Sequence, residues 1–214
     1  MSTDAEAVER LTAAWGRIEA WLHAHAPASA ALLRPPASEA DVAAAEAAMG
    51  VELPATLAAW YRIHDGMDEG HGGGILPSDM TMLSLDELVN DYQLHTRHWE
   101  GEAGIMPFAR KLGDIWSGWY VDARRSVPSY GKLGYWSVES GEEPHPWGSD
   151  GWPLEEWLTE MAAALEEGRL LRQPDGKDDK PHWPVLTVSG GLTWADVRDP
   201  RLFPEGGTVL DGPR

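Results

Sequence analysis

Apolar residues recur at three- and four-residue steps through the first part of the chain, which predicts amphipathic helices. The apolar stripe of the first helix consists of Val8, Leu11, Trp15, Ile18 and Leu22. Thr3 and Glu6 have the spacing of a capping box that starts this helix. Pro27 marks its end, and the segment from there to Pro35-Pro36 is predicted to be a linker or a frayed extension.

The same pattern predicts three further helices. One begins at Ser38 and ends at Gly50, and the next begins at Pro54 and is terminated by Gly66. The third is capped by Ser84, with Glu three residues later. The residues expected to face inward are Val42, Ala45, Met49, Leu57, Trp60, Tyr61, Leu85, Leu88, Val89 and Tyr92.

The period then changes to that of short strands rich in aromatic and branched residues. Segments 105–109, 116–122 and 132–138 are separated by Gly, Asp, Ser and Pro, which predicts an antiparallel meander, and 80–83 is a further short strand. A last helix is predicted from Pro153 to Glu167. Its inward residues are Leu154, Trp157, Leu158, Met161 and Leu165.

These elements divide the chain into three parts. Residues 1–34 hold the first helix and a linker, and residues 35–168 form a core on which helix 8–22 packs. Residues 169–214 are a C-terminal extension of uncertain order, with one more strand at 183–188. No internal repeat is present.

Composition excludes several classes of protein. The chain has no Cys, so disulfides, thiolate metal sites and Cys nucleophiles are excluded. The acidic segment 1–10 has no apolar signal region and no apolar run spans a bilayer, so we expect a cytoplasmic protein without a membrane partner. A net charge of -18 disfavours binding to nucleic acid.

The acidic side chains fall in two stretches that contain no Lys or Arg, 63–96 and 133–168. Such stretches are common in soluble proteins and are explained by solubility alone. They are equally consistent with an acidic face that steers a basic protein partner into place.

Candidate catalytic groups are few. His71-Gly72-Gly73-Gly74 matches an esterase oxyanion string, but no serine has glycine at both minus two and plus two, so a loop is the better interpretation. His95 and His98 supply two metal ligands where zinc needs three or four, and surface histidines at a helix end are the favoured interpretation. Carboxylates are too abundant to single out an acid–base pair. We therefore predict no catalytic residue, no metal and no cofactor.

Eight of the twelve Trp residues fall into two groups. Those predicted to lie in the core are Trp15, Trp60, Trp119 and Trp157. Those near strand ends or loops, beside carboxylates, are Trp116, Trp136, Trp147 and Trp152. Exposed indole rings among acidic neighbours are typical of binding hot spots, although these rings are equally consistent with caps on the edges of the core.

The order of the motifs resembles the SUKH superfamily over about residues 10–168. The matching motifs are Leu53-Pro54, Asp65-Gly66, Ser84 to Leu88, Ile105 to Ala109, Gly113-Asp114 and Trp119 to Asp122, followed by the closing helix. The superfamily includes Smi/Knr-type regulators of cell-wall assembly and many bacterial immunity proteins. The resemblance implies a single α+β domain, with helices packed on a central, mostly antiparallel sheet, and no catalytic residues.

In bacterial members the resemblance implies neutralisation of a polymorphic toxin, often a nuclease, by direct binding. We therefore expect an immunity protein for a basic toxin. The residues expected to bind this partner are Asp65, Asp114, Trp116, Asp122, Trp136, Trp147 and Trp152. The alternatives are a regulatory scaffold for an endogenous protein and, third, a small hydrolase or metal-dependent enzyme.

Overall fold

A computed structural model describes residues 3–70, 74–98, 103–111, 116–137, 142–146, 151–172, 182–196 and 206–209. The helices of the described residues are α1 Asp4–His25, α2 Pro27–Ala30, α3 Glu39–Met49, α4 Ala55–Tyr61, α5 Leu85–His98 and α6 Leu154–Glu167. The strands are β1 Met80–Met82, β2 Ile105–Lys111, β3 Ser117–Asp122, β4 Lys132–Ser137, β5 Glu142–Pro146, β6 Trp152–Pro153, β7 Trp183–Leu186, β8 Leu192–Ala195 and β9 Thr208–Val209. The chain is therefore an α+β protein, as the sequence predicted.

Side-chain caps fix the helix starts where the sequence predicted them. Thr3 closes a capping box on α1, and Ser38 closes one on α3. The Ser84 hydroxyl accepts a hydrogen bond from the Glu87 amide at the start of α5. Gly50 ends α3 with a φ of 70°. The hydroxyl groups accept hydrogen bonds from amides that have no partner within the helix, and Gly50 adopts the left-handed conformation that commonly ends a helix.

One expected boundary is wrong. Helix α4 ends at Tyr61, well before Gly66. Gly66 instead has a φ of 72°, and a Cβ there would lie 2.5 Å from the carbonyl carbon of Leu83. The glycine is therefore needed for close backbone approach to the start of α5 and not for ending α4.

The main sheet is antiparallel, with strand order β1-β2-β3-β4-β5 and β6 paired to β4. It confirms the predicted meander. The Trp119 ring of β3 meets the Trp157 ring of α6 edge to face with centroids 5.3 Å apart, and the Phe108 ring of β2 lies 5.8 Å from the Trp60 ring of α4. All four Trp residues predicted for the core are buried, at 3% exposure or less.

The C-terminal extension forms a second sheet of order β8-β7-β9. It packs against the segment between α1 and α3, which is not wholly a linker because residues 27–30 form α2. The Leu192 amide donates to the buried Ser29 hydroxyl at 2.8 Å, and the Trp194 indole donates to the Ile75 carbonyl at 2.8 Å. Leu171, Leu192 and Trp194 belong to the same apolar core as the main sheet.

The extension also contacts a strained turn. Ser78 and Asp79 have φ values of 64° and 58°, which L residues rarely adopt. Ser78 hydrogen-bonds His182 at 2.9 Å, and Thr193 donates to Asp79 at 2.6 Å. None of the described helices is long and apolar enough to cross a membrane.

Candidate functional site

The structure separates the Trp residues that were expected on a binding surface. Trp116 is half exposed, at 52%, whereas Trp136 is 1% exposed and Trp152 is 8% exposed. The expectation of exposure is therefore wrong for Trp136 and Trp152. Trp136 is covered because its ring lies over Gly118 and 4.0 Å from the ring of His95, measured between centroids. Trp147 and Asp114 lie outside the described residues.

Asp122 is fully buried, which removes it from any surface that a partner contacts. Burial opposes its ionisation, but hydrogen bonds from Arg124 and Ser129 outweigh that cost and hold the pKa of Asp122 below its ordinary value. Arg124 Nη2 and Ser129 Oγ lie 2.7 and 2.6 Å from Asp122 Oδ2. This carboxylate therefore anchors the chain that leaves β3.

Among the expected site residues that the structure describes, Asp65 is the one that lines the groove described below. Its Oδ1 accepts a hydrogen bond from the Leu85 amide at 2.8 Å, so the side chain caps α5. Its Oδ2 lies 3.6 Å from Arg34 Nη2, and the same guanidinium is 3.3 Å from Asp68. The Asp65 side chain is 24% exposed, so part of its charge faces solvent.

The groove lies between α3 and α5 and has a volume of about 540 Å³. Its apolar lining consists of Ala44, Ala45, Ala48, Leu85 and Val89. Its polar lining consists of Asp41, Asp65, Asp86 and Asn90. The groove thus combines small apolar side chains with three carboxylates.

The acidic character follows from helix geometry. Asp41 is the third residue of α3, and Asp86 lies in the first turn of α5. Carboxylates are favoured there because the amide groups at a helix N-terminus carry partial positive charge. Hydrogen bonds from the Ser38 side chain and backbone lower the pKa of Asp41, so it is ionised at neutral pH. Within the described part of the chain, neither Asp41 nor Asp86 forms an ion pair.

Sequence reasoning missed this groove, although it identified the helices that form it. Neither Asp41 nor Asp86 was among the residues expected to bind a partner. The signal available in the sequence was the high alanine content of α3. Ala44 and Ala48 lie on the exposed side of this helix. A helix face made of small side chains, beside an acidic helix start, indicates room for a side chain of another protein.

Other candidate chemistry is not assembled in the described residues. No group of three His, Asp or Glu residues with metal-binding geometry occurs among them. His95, expected on the surface, is 4% exposed and packs against Trp136. Residues 71–73 and the side chain of His98 lie outside the described part.

Comparison with known proteins gives matches over this core. The profile of the SMI1/KNR4 family (SUKH-1) matches residues 36–167, which contain α3 to α6 and β1 to β6. A KNR4/SMI1 homolog from Kluyveromyces lactis is 32% identical over 142 residues, which cover 60% of this chain and 25% of the relative. The KNR4/SMI1 homolog 1 from Debaryomyces hansenii is 29% identical over 105 residues, which cover 47% of this chain and 22% of the relative. The chain thus spans about a quarter of the length of these curated relatives.

Proposed function

Because the chain belongs to the SMI1/KNR4 family (SUKH-1), we propose that it is a non-enzymatic module that binds a basic protein. The observation that carries this proposal is the groove between α3 and α5, whose lining combines Asp41, Asp65 and Asp86 with small apolar side chains. A groove of this kind complements a positively charged, partly apolar surface. The net charge of -18 adds long-range attraction for the same class of partner.

For the partner, we propose a basic toxin that the chain neutralises by direct binding. Blocking a toxin requires a stable complementary surface and no chemistry by the blocking protein. The structure supports this proposal through an open acidic groove and through the half-exposed Trp116, the type of ring that dominates binding energy at interfaces. The partner-binding role of Trp116 and Asp65 is part of the same proposal.

A second candidate is a regulatory scaffold for an endogenous protein. It is favoured by the similarity to two yeast KNR4/SMI1 homologs, each about four times as long as the matched segment. In such a protein the same groove would serve an internal or cellular partner. Both candidates bind a protein. They differ in whether binding neutralises a toxin or regulates an endogenous protein.

The experiment uses the product of the gene adjacent to the one that encodes this chain. Its expression alone is expected to stop growth of a host, and co-expression of this chain is expected to restore growth. A purified complex should form with an association rate that falls as salt rises, since screening shortens the range of the attraction. A gene product that is harmless alone but still binds favours the regulatory scaffold. Absence of any complex contradicts the proposed function.

A further inference from the structure

The groove between α3 and α5 is polarised along its length. Its carboxylates cluster at one end, where α3 and α5 both begin and where Asp65 accepts a hydrogen bond from the first amide of α5. At the other end Gln93 Nε2 donates to the Ala48 carbonyl at 3.4 Å, which ties the later turns of the two helices together. Charge is thus concentrated at one end of the groove.

The wall between these two ends is apolar and shallow. Ala44 and Ala48 are one helical turn apart on α3, and Val89 faces them from α5. A lysine or arginine side chain has the same division, since an alkyl stem carries a charged head at its tip. The stem fits against the alanines while the head reaches the carboxylates.

The chain itself shows that a guanidinium sits at this acidic end. Arg34 Nη2 lies 3.6 Å from Asp65 Oδ2, and Arg34 Nη1 lies 3.3 Å from Asp68. These distances are longer than those of close charge-assisted hydrogen bonds, which are about 2.7–2.9 Å. Arg34 therefore satisfies Asp65 only loosely, and it contacts neither Asp41 nor Asp86 in the described structure.

We propose that the groove receives one lysine or arginine side chain of the bound protein, with its head between Asp41, Asp65 and Asp86 and its stem along Ala44 and Ala48. The inference rests on the proposed function, because it names where and how the basic partner is held. Arg34 acts as an internal competitor, since its positive charge occupies one side of Asp65. Its removal frees that carboxylate for the incoming side chain.

The test begins with a defined probe that does not depend on the partner. The full chain, labelled with ¹⁵N, is titrated with N-acetyl-arginine amide and with N-acetyl-citrulline amide, its uncharged counterpart of similar shape. The arginine compound, but not the citrulline compound, is expected to cause saturable chemical-shift changes in the backbone amides of Ala44, Ala48, Val89 and Asn90. Equal shifts with both compounds, or shifts elsewhere only, overturn the inference.

Four variants make the test specific. Asp86→Asn is expected to weaken arginine binding about two- to fivefold, the range of a partly exposed ion pair. Ala44→Leu keeps good helix propensity but fills the groove, so it should abolish the shifts. Arg34→Gln should tighten binding about two- to fivefold by the same arithmetic. Glu156→Gln removes one exposed charge from α6 and is the matched control, with no change expected.

The same variants, measured against the product of the adjacent gene, separate the two proposals. If that protein binds and Ala44→Leu and Asp86→Asn leave its Kd unchanged, the groove inference is wrong and protein binding stands. If arginine amide binds in the groove but the gene product does not bind, the proposed function is wrong, and so is the assignment of that gene product as the partner. Loss of gene-product binding in both groove variants, with Glu156→Gln unaffected, supports both proposals.

Discussion

Replacing Trp119 with alanine should destabilise the protein strongly. The Trp119 side chain is 3% exposed, and its ring meets the Trp157 ring edge to face at 5.3 Å and 89°. Trp157 itself is fully buried on α6. The substitution therefore leaves a cavity between β3 and α6.

The expected magnitude follows from the buried area. A buried Trp removes about 150–250 Å² from water, which at about 25 cal/mol per Å² corresponds to about 4–6 kcal/mol as an upper bound. Loss of the ring pair costs about 0.5–1.5 kcal/mol beyond the loss of buried area. Measured substitutions of buried Phe or Trp by Ala cost about 3–5 kcal/mol, and we expect the free energy of unfolding to fall by that amount.

Two further substitutions make this a test of the structure. Trp136→Ala should cost a similar amount, because that ring is 1% exposed. Trp116→Ala should cost about half as much, about 2 kcal/mol, because about half of that ring is already in water. The structure thus moves Trp136 from the surface group of the sequence prediction to the core group.

The assay is urea unfolding followed by far-UV circular dichroism, which reports the helices without relying on twelve overlapping Trp signals. If Trp119→Ala fails to fold, Trp119→Phe gives the same ranking with a smaller loss. Equal destabilisation by the Trp119 and Trp116 substitutions would refute the division into buried and exposed rings.

Two other predictions concern buried polar contacts, and a third concerns the strained turn at Ser78. Trp194→Phe removes the hydrogen bond to the Ile75 carbonyl, so the free energy of unfolding should fall by about 1–2 kcal/mol, and limited proteolysis should cut the C-terminal extension sooner. Since the pKa of Asp122 is lowered on folding, its contribution is complete above its ordinary value of 3.8 and is lost as pH falls through the folded value. Denaturation at several pH values should therefore show a shallower acid loss for Asp122→Asn than for the wild type. Ser78→Gly should be more stable than Ser78→Ala by about 1 kcal/mol, because only glycine adopts a φ of 64° without strain.

Each of these outcomes has a clear opposite. Unchanged proteolysis of Trp194→Phe would mean that the indole does not hold the extension. If the wild type and Asp122→Asn lost stability in parallel as the pH fell, carboxylates other than Asp122 would account for the loss. A Ser78→Ala variant at least as stable as Ser78→Gly would contradict the strained turn, since both variants equally lack the bond to His182.

The sequence alone determined the local elements and the fold class. Capping residues such as Thr3 and Ser38 specify helix starts through short-range hydrogen bonds. The aromatic and branched residues of β2 to β4, bounded by turn residues, specify strands. The motif order was sufficient to identify the family that residues 36–167 match. Asp65, expected from the sequence to bind a partner, lines the groove, and its role in binding stays a prediction.

Only the tertiary structure decided which side chains meet and which reach solvent. Asp41, Asp65 and Asp86 are far apart in the chain and converge because α3 packs beside α5, a contact that no local period encodes. Trp136 and Trp116 look alike in sequence. Trp136 is nevertheless buried against Gly118 and His95, whereas Trp116 is half exposed. Long-range packing assigns burial, and burial decides whether an acidic or aromatic residue supports the fold or faces a partner.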